Sequence, residues 1–167
     1  MSSVVGPTLT DVQTDESGTF VVGVRENLTS QAWSLLVFEC ADDGTDEDVD
    51  LGMDSYCLVV EPAQATTYGG VVECELRDTS LRLRLAPGSA ADLGLPTDTT
   101  FPLALRPAQM SALRAGLGRV FASGRPEDRI RLTEHFLAGY LDSGAGVVGD
   151  DRLADRVARF RSWSLAT

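Results

Sequence analysis

Val72-Glu73-Cys74-Glu75-Leu76-Arg77-Asp78-Thr79-Ser80-Leu81-Arg82-Leu83-Arg84-Leu85 alternates apolar and charged residues on both sides of a short polar break. Strand side chains point alternately to opposite faces, so this period of two predicts a pair of half-buried strands, Val71 to Arg77 and Leu81 to Leu85. A tight turn at Asp78-Thr79 pairs Leu76 with Leu81, Glu75 with Arg82, Cys74 with Leu83 and Glu73 with Arg84. Apolar pairs then line one face and opposite charges the other, and a slip of one residue destroys both matches. Each exposed cross-strand ion pair is worth only about 0.2 to 1 kcal/mol, so the charges specify register more than they stabilise.

Working outward from this hairpin, Thr19 to Arg25, Ala32 to Cys40, Tyr56 to Glu61 and Thr99 to Leu105 are further β-rich runs bounded by Gly, Pro, Asp or Ser, with a weaker one from Thr8 to Val12. Pro102 places the Thr99 to Leu105 strand toward a sheet edge, because proline cannot donate to a ladder. Pro87 to Leu93 fits one helical turn. From Pro107 the period changes: Met110, Leu113, Leu117, Val120 and Phe121 recur at helical spacing, and a proline suits the first position of a helix. Two more helices are predicted, Pro126 to Leu141 with Ile130, Phe136, Leu137, Tyr140 and Leu141 apolar, and Asp151 to Arg161 with Leu153, Val157 and Phe160 apolar beside a stripe of Arg152, Arg156 and Arg159. The expected fold is α+β: a mostly antiparallel sheet of about six strands, a helix packed on it, and two further C-terminal helices. At 167 residues the chain fits one domain that buries about 70% of its unfolded surface. Residues 1–122 read as the sheet plus first helix, and 123–167 as a helical extension of the same domain.

Charge is distributed unevenly. Residues 1–80 hold 16 Asp/Glu against Arg25 and Arg77, whereas residues 81–167 hold 9 against 12 Arg, so the net −11 is the sum of −14 and +3. Concentrating like charge does nothing for fold stability and points to a partner or to solubility. It also argues against nucleic acid or an acidic membrane surface, which require a basic face. No apolar run approaches the ~20 residues a bilayer demands, and Met1 to Gly6 lacks the pattern of a signal peptide, so a cytoplasmic chain is expected. Cys40, Cys57 and Cys74, odd in number and set in apolar runs, suit reduced thiols.

Few residues mark chemistry. The segment Glu39 to Asp54 carries Asp42, Asp43, Asp46, Glu47, Asp48 and Asp50 with no basic residue among them. It reads either as a solvated loop or as a steering surface, since a single-sign patch raises association rates with an opposite charge. Asp46, Asp48 and Asp50 alternate as calcium ligands do, yet Leu51 stands at the glycine position of an EF-hand and Cys57 at that of its bidentate Glu. Gly144-Ala145-Gly146-Val147-Val148-Gly149 has dinucleotide-fingerprint spacing, but a helix is expected before it and Asp150 and Asp151 follow, so it reads as a linker with Asp150 capping the next helix. His135 sits in a predicted helix without a sequence-marked nucleophile, and no Cys-x-x-Cys or His-x-x-x-His spacing preorganises zinc. No catalytic residue, cofactor or metal is expected. Tyr68-Gly69-Gly70 reads as a strand connection, or as an aromatic anchor at a binding surface.

The order of the acidic loop, Leu51-Gly52-Met53-Asp54, Tyr68-Gly69-Gly70, Leu81-Arg82-Leu83-Arg84-Leu85 and a helix ending Arg119-Val120-Phe121 resembles the immunity protein 10 family of bacterial polymorphic toxin systems, over roughly residues 10–122. The resemblance implies a cytosolic, non-enzymatic antidote that binds and neutralises a cognate toxin. An acidic, motif-poor domain suits a basic partner such as a nuclease, with Asp42, Asp43, Asp46, Glu47, Asp48 and Asp50 steering and Tyr68 anchoring. The alternatives are a secretion chaperone or adaptor that uses the Arg-striped helix, and a small enzyme.

Overall fold

A computed structural model describes residues 3–29, 31–40 and 54–135. Along the chain they form β1 (Val4–Val5), β2 (Asp11–Asp15), β3 (Val21–Arg25), β4 (Ser34–Phe38), β5 (Cys57–Glu61), β6 (Ala65–Tyr68), β7 (Val71–Arg77), β8 (Ser80–Leu85), α1 (Pro87–Leu93), β9 (Asp98–Pro102), α2 (Pro107–Phe121) and β10 (Thr133–His135), with a 3-10 turn at Pro126–Asp128. Five strands, ordered β1-β9-β8-β7-β10, make one sheet, and β2-β3-β4-β5-β6 make a second. The fold is α+β, but its strands divide between two sheets where the periodicity alone predicted one.

The hairpin has the predicted register: Glu73 faces Arg84, Cys74 faces Leu83, Glu75 faces Arg82 and Leu76 faces Leu81. A bulge between Val71 and Glu73 adds one residue there, so Val71 is buried and Val72 is 55% exposed, the reverse of simple alternation. β9 continues the sheet beside β8 and is not its edge, because β1 pairs with Thr99 and Thr100 in parallel. The main chain accommodates Pro102 by using its carbonyl, which accepts the Leu9 N–H at 2.8 Å.

β3, β4 and β5 are different in kind. Val21-Val22, Leu35-Leu36-Val37-Phe38 and Leu58-Val59-Val60 are continuous apolar runs, and every residue of the three strands is buried. Continuous runs are what burial on both faces requires. One face, with Val22, Val24, Leu35, Val37, Leu58 and Val60, shares the main core with Leu76, Leu81, Leu83 and Phe101 of the first sheet. α2 closes this core through Met110, Leu113, Leu117, Val120 and Phe121, all at most 2% exposed. Trp33 stacks on Phe101 with centroids 4.9 Å apart, and Tyr56 meets Phe121 edge-on at 5.2 Å. The Tyr56 hydroxyl accepts the Val71 N–H at 3.3 Å, a polar tie between the chain entering β5 and the start of β7.

The helix predicted for Pro126–Leu141 does not form over its described part. After the Pro126–Asp128 turn, Arg129 is extended, Leu132 enters the core and Thr133–His135 pairs in parallel with Glu75–Arg77. The free edge of β7 offers unpaired N–H and C=O groups, and satisfying them outweighs the helical period of this stretch. The second predicted helix, Asp151 to Arg161, and the Gly144–Gly149 linker lie outside the described residues.

α2 supplies an internal comparison. A Cβ at Gly116 would lie 2.8 Å from Val22 Cβ, whereas one at Gly118 would meet nothing within 4 Å. Gly118→Ala should raise stability by up to about 1 kcal/mol through helix propensity. Gly116→Ala should lower it by about 1 to 3 kcal/mol by overpacking. Urea midpoints of the two variants check this, and equal shifts would remove the close approach of α2 to β3 from the account.

Candidate partner-binding surface

The six carboxylates Asp42, Asp43, Asp46, Glu47, Asp48 and Asp50 lie outside the described residues, but both ends of the segment that carries them are visible. At the entry, Arg119 Nε donates to Glu39 Oε2 at 2.9 Å, and the Cys40 N–H donates to Ser123 Oγ at 3.0 Å. At the exit, Arg125 grips Asp54 with Nε and Nη2, and its own N–H donates to the Asp54 carbonyl at 2.9 Å. Ser55 forms a β-bridge to Gly124. Gly124 has φ +81°, and a Cβ there would lie 2.8 Å from Ser55 Cα, so this junction requires glycine. Entry and exit therefore meet on one short stretch, Arg119 to Arg125, at the end of α2.

Arg119 is shared. It also contacts Glu16 and lies over the Phe20 ring at 4.1 Å from its centroid. The hydrogen bonds it donates to Glu39 and then to Glu16 hold its guanidinium above the ordinary arginine value. The Arg125 hydrogen bond holds the Asp54 carboxyl below the usual carboxylate range.

Tyr68 is half-buried and stands in register with Cys57, which faces Phe38. Those two residues end β4 and start β5, the strands that the acidic segment joins, so Tyr68 belongs to the same end of the second sheet as the base of that segment. Gly69 and Gly70 have φ +64° and +83°, and a Cβ on Gly70 would sit 1.8 Å from Ser89 Oγ, so the connection between β6 and β7 depends on both glycines.

The second charged surface is the outward face of the first sheet. Glu73 pairs with Arg84 at 2.7 Å, as the register implies. Arg82 departs from expectation: it forms a two-pronged pair with Asp98, at 3.0 and 2.7 Å, while its register partner Glu75 pairs with Arg77. Bidentate geometry explains the choice, because a guanidinium fork matches a carboxylate edge reached across β8 and β9. The pair lowers the Asp98 carboxyl and raises the Arg82 guanidinium relative to their ordinary values. Two shallow depressions of about 380 and 420 Å³ flank Arg82 on this face. Sequence reasoning missed Asp98, although the alternation of Asp98, Thr100 and Pro102 with Thr99, Phe101 and Leu103 marks it as outward-facing.

His135 is on a strand, not a helix. It is exposed, with Nε2 3.7 Å from Glu75 Oε1. Burial pushes the Cys57 thiol up to about 12, and the fully buried Cys74 thiol is pushed up as well, so both are protonated at neutral pH and unlike activated nucleophiles. Among the described residues no group of three or more His, Cys, Asp or Glu is placed to hold a metal ion, and no helix is long and apolar enough to cross a membrane.

The family model described as Immunity protein 10 matches residues 8–111, more than half of the chain. This chain belongs to the immunity protein 10 family. No curated protein and no solved structure matches it. The immunity protein 10 match runs from before β2 into the first turns of α2, so it contains the acidic segment, Tyr68 and the hairpin, and it leaves out Arg119 to Arg125. In this member of the family, the residues that hold the acidic segment lie beyond the matched region.

Because the folded-state pKa of Asp54 is depressed, its pairing contributes stability above the unfolded-state pKa and loses it as pH falls through the folded value. Asp54→Asn should therefore lower the urea midpoint by a constant amount above about pH 5, with the two proteins converging at lower pH. A difference that stays constant down through the acid range would assign the effect to something other than the carboxylate.

Proposed function

We propose that this chain is a non-enzymatic, cytoplasmic antidote that neutralises a cognate toxin domain by forming a stoichiometric protein–protein complex with it. Membership of the immunity protein 10 family carries the reading. In it, residues 1–122 constitute the toxin-facing core and residues 123–167 an extension of the same domain.

The toxin is basic, and a nuclease groove built for phosphate is the natural target of clustered carboxylates. Asp42, Asp43, Asp46, Glu47, Asp48 and Asp50 steer the encounter, and Tyr68 anchors it. Two features support this assignment. No basic residue lies between Glu39 and Asp54, so the six carboxylates have no sequence neighbour to neutralise them. Arg119 and Arg125 engage Glu39 and Asp54, the acids at the base of the segment. A fixed base lowers the entropy lost when such a segment meets a partner.

Two measurements test the reading. Co-expression with the toxin domain encoded beside it should restore growth of a bacterial host, and the pair should co-purify; binding without rescue would turn the reading toward an adaptor. Replacing the six residues by Asn or Gln should slow association by about 10- to 10³-fold at low salt and flatten its salt dependence. An unchanged on-rate removes the segment from the mechanism while leaving the antidote function standing.

A further inference from the structure

The first sheet turns Cys74, Leu76, Leu81, Leu83 and Phe101 toward the main core. Neither helix covers its other face, because α1 and α2 both pack on strands of the second sheet. Register arranges that open face in three rows: Asp98, Arg84 and Glu73; then Thr100, Arg82, Glu75 and Thr133; then Pro102, Ser80, Arg77 and His135. Its three arginines and three carboxylates cancel, in a chain of net charge −11. Two such chains repel each other least when these faces meet.

We propose that this face is a self-association surface, on which a second copy of the chain docks to form a symmetric dimer. The signs on it are sorted by strand. Arg82 and Arg84 belong to β8, and Glu75 and Glu73 stand opposite them on β7. A two-fold axis parallel to these strands and midway between them lays β8 of one copy over β7 of the other, row on row, and every contact then occurs twice. Arg84 meets Glu73 of the partner subunit, and Glu73 meets Arg84 of the partner subunit. A two-fold running across the strands through the central row would instead set Arg82 on its own copy and Glu75 on its own copy, so charge selects the first axis.

The first row is prepared for this contact. Arg84 and Glu73 are paired at 2.7 Å and their side chains remain 45% and 36% exposed, so two copies close a ring of four alternating charges. Each half of the ring is already ordered within its own chain, which reduces the entropy lost on docking. Beside it the bulge turns Val72 outward, at the wall of the depression of about 420 Å³ that Arg84, Leu85, Thr97 and Asp98 also line. Val72 is the apolar anchor next to the ring. Glu75 is held by Arg77 and is nearly covered, so the second row supplies contact area and no new ion pair.

Five strands and three rows measure about 24 by 20 Å, or about 1,000 Å² over both copies, the size of weak and transient complexes. The dimer therefore exchanges with monomer and fills as concentration rises. Tyr68 shares a row with Cys57 and Phe38, on the side of the second sheet away from the main core, so the two-fold leaves it on the outer sides of the dimer. The inference does not rest on the toxin reading.

Sedimentation velocity of the full-length chain over a concentration series should show a reversible monomer–dimer equilibrium. Arg84→Glu makes the ring four acids and should weaken dimerisation at least about tenfold, whereas E73R/R84E restores alternation and should return it to within about threefold of wild type. A wild type that stays monomeric, an R84E variant that dimerises as well as wild type, or a double variant as weak as R84E overturns the proposal.

Should either variant fail to fold, a nearly isosteric change decides. Ser80 lies on β8 next to the axis, so with Ser80→Cys a short bismaleimide should join two chains through position 80. Links between chains that avoid position 80, or links from it only to another segment of its own chain, overturn the proposal.

Discussion

Burial of β3, β4 and β5 on both faces is the constraint from which the architecture follows. Three adjacent strands with no solvated face need apolar cover twice over. The first cover is built from the remaining elements: the inward face of the other sheet and the apolar stripe of α2, joined in one core with Tyr56, Phe101 and Phe121 at its centre. A two-sheet arrangement is a direct consequence, because the alternating hairpin cannot extend a sheet of continuously apolar strands without stranding its charged residues in the interior.

The surface proposed for the partner lies where that core ends. α2 closes the main core along its length, and its last turn and the residues after it hold both ends of the acidic segment. Exposed ion pairs of this kind contribute little to stability singly. Their effect is geometric: Glu39 and Asp54 are drawn to one place, and the chain between them starts and finishes there. The helix that completes the core thus also fixes the base of the surface assigned to the partner.

The charged face of the first sheet shows how tertiary context redistributes pairs that the strand register alone would assign differently. The register of Glu73, Glu75, Arg82 and Arg84 follows from the alternation, and it is present. The partner of Arg82 does not follow, because β9 brings Asp98 into two-pronged reach, a better match to the guanidinium than Glu75 across the ladder. Glu75 then faces Arg77 and His135, the latter delivered by a strand that the helical period of residues 126–141 concealed.

The sequence by itself determined what depends on neighbours along the chain: the hairpin and its register, the helix from Pro107 to Phe121 with its buried face, and the family to which the order of motifs belongs. Those properties are set by period, turn chemistry and local charge. Tertiary structure alone decided the division into two sheets, the bulge that turns Val72 outward, the pairing of β10 with β7, and the convergence of Glu39, Asp54, Arg119 and Arg125. Each of these satisfies backbone groups or side chains against residues distant in the chain, and a local pattern carries no information about which distant partner is within reach.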